Sequence, residues 1–276
     1  MSVNTTPTQA SPPLPSGHYG FGGVLASEWT KLMSVRSTLW TLLVTAVVGV
    51  GLGAIVTSAQ AARWSNRTLA SQASFDPTRS SLAGLLFAQL AIGVLGILVV
   101  SAEYSTGTIR ATLSAVPRRS LVLMAKVTLF ATIAVVVGEA VSFVAFAIGQ
   151  QLLSGKTPTA SLSDPSVVRA VVSAGLYLAA LGLLALGLAT IIRATAAAIS
   201  TFVGILFVLP IISAVLPSSF ANDTSRFLPQ DIGTVMLTAH YHGNDPFGPW
   251  TGFALLCAYA VAALMAGGVL LVRRDA

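Results

Sequence analysis

Residues 82–101 read LAGLLFAQLAIGVLGILVVS, twenty residues without a charge. Wound as an α-helix at 1.5 Å per residue, that run is about 30 Å long, the thickness of a bilayer's hydrocarbon core. Five further apolar runs flank it, at 39–59, 122–149, 168–192, 196–216 and 250–272. All are long enough to cross a membrane, and the 122–149 run has to tilt or project beyond it. Between the fourth and fifth runs stand only Arg193, Ala194 and Thr195. A single helix through both would far exceed the bilayer, so a tight hairpin with Arg193 at the interface is expected. The fold class implied is all-α integral membrane, with six transmembrane helices.

Composition agrees. Of 276 residues, 54% are hydrophobic and 9% charged, against roughly 25% charged in soluble domains. The net charge of +6 does not mark a nucleic-acid binder, because the basic residues sit singly or in pairs between apolar runs and build no continuous basic face. Positive-inside topology explains them better. With both termini cytoplasmic, the inner side holds nine basic residues: Lys31, Arg36, Arg110, Arg118, Arg119, Lys126, Arg193, Arg273 and Arg274. The outer side holds six: Arg63, Arg67, Arg79, Lys156, Arg169 and Arg226. The acids Asp76, Asp164, Asp223, Asp231 and Asp245 fall outside. The single cysteine, Cys257, lies in an apolar run and offers neither a disulfide framework nor a metal cluster.

Residues 1–20, rich in Thr, Ser, Pro and Gly, read as a disordered tail without the pattern of a cleavable signal peptide, ahead of one membrane domain over 21–276. Within it, VLASEWTKLMSVRS at 24–37 reads as an amphipathic helix. Val24, Leu25, Trp29, Leu32 and Met33 fall near one face, and Ser27, Glu28, Lys31 and Ser34 on the other. A helix lying in the interface with Trp29 at headgroup depth is expected; the alternative is an extension of the first span. The outer segment 217–249, with Pro217, Pro229, Pro246 and Pro249, is too polar to span and could dip back as short broken helices.

The link between the second and third runs is the most informative polar stretch: EYSTGTIRATLSAVPRRSLVLMAK, Glu103 to Lys126. Ser105 or Thr106 can cap a short helix through Thr108, Ile109, Arg110, Ala111, Thr112 and Leu113. Pro117 disfavours helix at Val116 and ends it there. An ordinary loop carrying positive-inside arginines is the plain alternative.

Glu103, Gly107-Thr108, Leu113, Pro117, Arg118 and Lys126 together resemble the pattern after the second span of type-2 ABC transporter permeases, the exporter-type membrane subunits. EWTKLMSVRST before the first span (Glu28 to Thr38), the IIRATAAA turn (Ile191 to Ala198), Leu209-Pro210 and Phe227 to Pro229 are similar to that family too, in order and spacing. The resemblance implies a permease subunit with no covalent chemistry and no cofactor of its own. ATP and Mg would bind a separate ATP-binding-cassette subunit, and a second permease chain, a homodimer partner, would complete the path through the cell membrane. Carried over residue by residue, Gly107 to Leu113, including Thr108, Ile109 and Arg110, would be the coupling helix that docks on the ATPase. Glu103 would be a link at the base of the second span, and Arg118 would flank the third.

Other features are weaker. Gly155-Lys156-Thr157 ends like a phosphate-binding loop, but position 150 is Gln150, no strand precedes it, and the topology puts it outside. Glu139, in VVVGEAVSF, is expected to face protein or water, either as a pathway residue or as a hydrogen-bonding group between helices. His240 and His242, near Asp245, lack the further ligands of a metal site. Gly49 and Gly53 form a GxxxG pair that chance accounts for as readily as close helix packing. An ion- or proton-coupled carrier using Glu139 is the second functional reading. An intramembrane enzyme lacks any G-x-S-x-G or H-E-x-x-H motif.

Overall fold

The structure is a computed structural model, and it describes residues 20–116, 118–215, 224–240 and 247–273. The expected tail, Pro117, His242, Asp245, Arg274 and parts of the 217–249 segment lie outside the described residues. Among those described, the elements are helical and no strand occurs. They are α1 (Phe21–Ser34), α2 (Arg36–Ala62), α3 (Leu69–Ala73), α4 (Pro77–Leu82), α5 (Leu85–Ser105), α6 (Thr108–Ala115), α7 (Arg119–Leu153), α8 (Pro165–Ile192), α9 (Thr195–Val203), α10 (Leu209–Val215), α11 (Pro229–Met236) and α12 (Pro249–Arg273). Six units are long and apolar enough to cross a membrane: α2, α4 with α5, α7, α8, α9 with α10, and α12. That is the architecture of a multi-pass membrane protein.

α8 is the axis of the bundle. In its most apolar window 72% of residues are buried, against 17% in α2 and 22% in α12, which lie at the periphery. It packs on α5, α7 and α12, while α2 leans on α5 and α7. Glycines let the backbones approach. A Cβ on Gly138 of α7 would collide with the carbonyl of Gly175, one on Gly96 of α5 with that of Gly182, and one on Gly187 with Ala263 of α12. Lipid gives no hydrophobic force between spans, so close van der Waals contact at small residues has to hold them.

α2 is built inside out for the same reason. Its buried residues are Thr38, Thr45, Gly49, Gly53, Thr57 and Ala61, all small, while Trp40, Val47 and Ile55 are exposed. The GxxxG pair is used: a Cβ on Gly84, where α4 meets α5, would strike the backbone of Gly49 and Gly53. Thr57 Oγ1 donates to the Ser80 carbonyl at 3.0 Å beside this crossing.

Local breaks have local causes. Arg193 ends α8 in the left-handed region, φ 61°, and Ala194 is extended before α9 begins, so the expected hairpin forms. Between α9 and α10 the chain widens into a π-helical turn over Gly204–Val208. Pro210 follows it; a proline there lacks the N–H that would bond the Leu206 carbonyl, and its ring would clash with that carbonyl in a regular helix. α7 is 35 residues, about 50 Å at 1.5 Å per residue, and so overshoots a bilayer as expected.

We call the end of the bundle carrying α1 and α6 the base and the other end the top. At the top, α11 is tied down on α8 and α12. Ser173 Oγ donates to the Met236 carbonyl at 2.7 Å, and Arg169 Nη2 donates to the Thr238 and Ala239 carbonyls at 2.8 and 2.7 Å. These bonds fix α11 and the residues after it against the bundle.

Candidate functional site

Two expectations about the base need correction. The first concerns α1. It is a helix of its own, cut from α2 by an extended Val35, and its inward side takes residues from both expected faces, with Leu25, Leu32 and Met33 half-buried as Lys31 is. Val24 and Glu28 are both buried, whereas Trp29 is exposed. Glu28, expected on the face opposite Val24, is only 4% exposed. The second concerns the start of α6. Neither Ser105 nor Thr106 caps it. α5 runs on through Ser105, Thr106 closes it, and Gly107 at φ 72° stands at the N-cap with no side-chain bond. Glycine suits a residue that must turn left-handed between two abutting helices.

Glu28 is buried because four charges from three elements meet there. Lys126 of α7 donates to Glu28 Oε2 at 2.6 Å and to Glu103 Oε1 of α5 at 2.8 Å, with a longer bond to the Val99 carbonyl at 3.4 Å. Lys31 of α1 donates to Glu28 Oε1 at 2.7 Å, Glu103 Oε1 at 3.1 Å and Thr112 Oγ1 of α6 at 3.1 Å. Each ammonium has three protons, and each finds three acceptors. The cluster sums to zero charge. The side chains of Lys126, Glu28 and Glu103 are 6%, 5% and 13% exposed, and that of Lys31 is 41%. Burial pulls the Glu28 carboxyl upward, but the Lys126 charge and hydrogen bond, with Lys31 behind them, outweigh it and hold it below its ordinary 4.5. For Lys31 burial pulls downward, and the Glu28 hydrogen bond and the Glu103 charge outweigh it, so Lys31 rises above 10.5.

A cavity of about 130 Å³ adjoins the cluster, walled by Thr38, Leu95, Val99 and Phe130 as well as the four charged residues. Glu103 Oε2 is buried beside it without a partner among the described residues. The cavity's wall is mostly apolar, with the charged groups at one side, and a cavity of that size has room for water where polar partners face it.

Around the cluster the base is drawn together by two arginines. Arg119 Nη1 donates to the Leu271 carbonyl at 3.0 Å and Arg193 Nη2 to the Leu270 carbonyl at 2.9 Å. Both serve the free carbonyls at the end of α12, where cations are favoured. Arg193 also lies over the Tyr104 ring at 5.3 Å. Thr195 Oγ1 and Ser101 Oγ join α9 to α5 at 2.9 Å.

The residues singled out in sequence divide accordingly. Glu103 is in the cluster. Gly107, Thr108 and Arg110 are exposed on and beside α6, and Arg118 is exposed ahead of α7. Ile109 and Leu113 point inward, 7% and 9% exposed, and pack with Val122, Tyr104 and Val116. Glu139 is remote from all of these, half-buried in α7 against Gly175 of α8, with both carboxylate oxygens buried and no partner among the described residues. The hydrogen-bonding role between helices that the sequence left open for it is therefore not seen. Gly155-Lys156-Thr157 forms the turn that closes α7 at the top, with Gly155 at φ 72°. His240 lies 3.7 Å from Asp164. Among the described residues no group of three metal-ligating side chains occurs.

The cluster itself, α1 to α5 to α7, was missed in sequence, as was Arg119. The signal was present. Lys126 stands inside an apolar run, where an unpaired ammonium is costly, and of the nine acids few fall at its end of the spans. Compared with known families and with curated proteins, the chain matches no family model and no curated relative.

Proposed function

We propose that the chain is the membrane-spanning permease subunit of an ATP-binding-cassette exporter, moving an unidentified substrate across the cell membrane with ATP hydrolysed by a separate subunit. It performs no covalent reaction; two such chains pair, and both termini face the cytoplasm. The observation that carries the reading is the mechanical continuity of the base. α6 lies between two spans with Arg110 and Ser114 exposed, and it is joined through Thr112 and Lys31 to charges on α1 and α5, and through Glu103 and Lys126 to α7. A push on α6 would reach three elements through the Thr112–Lys31 hydrogen bond, the ion pairs behind it and the Ile109 and Leu113 anchor. The exposed guanidinium of Arg110 is a forked donor for a carboxylate on the ATPase, and Gly107, Thr108 and Arg118 surround it. Ile109 and Leu113 hold α6 to its own chain. ATP and Mg would sit on the partner.

The test is reconstitution with a co-purifying ATPase. Arg110→Glu is expected to weaken docking or uncouple hydrolysis from transport, with insertion intact. Normal co-purification and normal substrate-stimulated hydrolysis in Arg110→Glu, Ser114→Glu would remove α6 as the coupling surface.

One observation favours a second reading, an ion- or proton-coupled carrier: the two unpartnered carboxylate oxygens of Glu139 within a span. Transport by the purified chain alone, driven by an ion gradient without ATP, would favour it.

A further inference from the structure

A cavity of about 830 Å³ lies at the top, between the α2–α4 link and α11. Its size matches sites for small organic ligands, and its wall is positively charged. Arg67 and Arg79 both line it. Arg67 is held in place: Nη2 donates to Gln60 Oε1 at 3.0 Å, and its guanidinium lies 5.8 Å from the Trp64 ring and 5.1 Å from that of Phe75. The two rings are themselves packed edge to face at 5.1 Å. One donated bond leaves most of its fork unused. The guanidinium of Arg79 has no partner among the described residues and is exposed.

The acid on the same wall, Asp76, offsets part of that charge but pairs with neither guanidinium. Asp76 Oδ1 accepts from the Thr78 and Arg79 backbone N–H groups at 2.8 and 3.0 Å, and Oδ2 from the Ala239 N–H at 2.9 Å. His240, also in the wall, pairs with Asp164, outside it. Among the hydroxyls, those of Ser71, Thr234 and Thr238 already donate to backbone carbonyls. Ser80 is different. It is 4% exposed, lines the cavity, and its hydroxyl has no partner. A buried polar atom left unpaired in a native site calls for a partner, and the Ser80 oxygen, closed off from the lumen as it stands, reaches one in the cavity by rotating about the Cα–Cβ bond.

We propose that this cavity binds a net-anionic phosphoester, with Arg67, Arg79 and Ser80 donating to the phosphate oxygens. Donors from three separate residues suit a tetrahedral group with several peripheral oxygens better than a planar carboxylate. A bare phosphate would leave most of 830 Å³ empty, so the phosphate carries a larger body, set against Phe75, Leu86 and Leu237. Charge asymmetry argues the same way: positive-inside bias accounts for arginines at one end of the spans, not for these two at the other. The phosphoester is either the headgroup of an anionic phospholipid or a soluble ester, and the inference does not depend on the transport reading.

The whole chain is placed in nanodiscs of phosphatidylcholine alone or with phosphatidylglycerol. Native mass spectrometry counts retained phosphatidylglycerol, and sn-glycerol 1-phosphate is titrated by calorimetry against the phosphatidylcholine discs. Arg79→Gln, at an exposed position, is expected to weaken binding roughly tenfold, and Ser80→Ala by a few fold. Arg63→Gln, at the same end but outside the cavity, is the control for general surface charge. A variant-sensitive phosphatidylglycerol signal identifies the lipid, and a variant-sensitive titration identifies the soluble ester; either supports the site. Binding of neither probe overturns it, as does binding that Arg79→Gln and Ser80→Ala leave unchanged or that Arg63→Gln weakens equally.

Discussion

Glu28 and Glu139 are both acids carried into an apolar bundle, and the fold treats them in opposite ways. Glu28 has both carboxylate oxygens engaged, one by Lys31 and one by Lys126. Glu139 has both buried and neither engaged. The difference is one of position in the bundle. At the base, three helices and a short fourth converge, each bringing a polar residue, so charges can cancel. Midway along α7 the carboxylate faces Gly175, and the hydroxyl one turn away, Ser142, is spent on the Glu139 backbone carbonyl at 3.0 Å. A paired cluster is a structural joint; an unanswered acid is a cost the fold carries for some other reason.

The hardest test of that contrast is Lys126→Met. It keeps the length of the stem and removes the cation shared by two carboxylates. Breaking a buried pair by deleting one partner costs about 3–5 kcal/mol, because the other charge stays behind. The thermal midpoint in detergent should fall sharply and α1 should become accessible to protease. Lys126→Met with Glu28→Leu should recover much of the loss, since Lys31 and Glu103 remain as a neutral pair. A double variant no better than Lys126→Met would mean that the cluster is not one coupled unit.

Glu139→Leu should move stability the other way. Removing a buried polar group that has no partner recovers about 1–3 kcal/mol. If Glu139 serves transport, Glu139→Leu will be more stable and inactive, and Glu139→Gln will separate loss of charge from loss of shape. A destabilised Glu139→Leu would reveal an interaction for this carboxylate and erase the contrast with Glu28.

Much of the fold was legible in sequence, because span length is a property of one segment. The six runs, the turn at Arg193 and the end of α6 near Val116 all follow from local composition. What was not legible depends on which face of a span meets protein. In water an apolar stripe marks the core, but in lipid the rule inverts. The large residues of α2, such as Trp40 and Val47, face outward, and Gly49 and Gly53 mark the contact with Gly84. In α1 the pattern misplaced one residue, Glu28, which turns inward beside Val24 to meet Lys126. The cluster joins residues up to 98 positions apart, a separation that no periodicity encodes. Charge scarcity alone could have pointed to it: a lysine four places inside an apolar run needs an acid at its own end of the bundle.

The smallest expected effect concerns Lys31, and it separates the exposed half of the cluster from the buried half. Its side chain is 41% exposed, so solvent screens its bonds, and Lys31→Ala should cost only about 0.5–1 kcal/mol despite three hydrogen bonds. Raised salt should shrink that difference further while leaving the Lys126→Met penalty nearly unchanged. The pH dependence follows from the same geometry. Glu28 is held below 4.5 when folded, so its contribution is present above its unfolded pKa and lost as pH falls through the folded one. Lys31 is held above 10.5, so its contribution is complete below that value and lost as pH rises through the folded one. Attachment of α1 should therefore be flat from about pH 5 to about pH 10 and weaken beyond either limit. Hydrogen exchange of the α1 amides, with exchange rates corrected for pH, reads this directly. A step in protection near pH 6 or 7 would show that some group outside these four governs the docking of α1, and the base would no longer be the self-contained neutral joint that distinguishes it from Glu139.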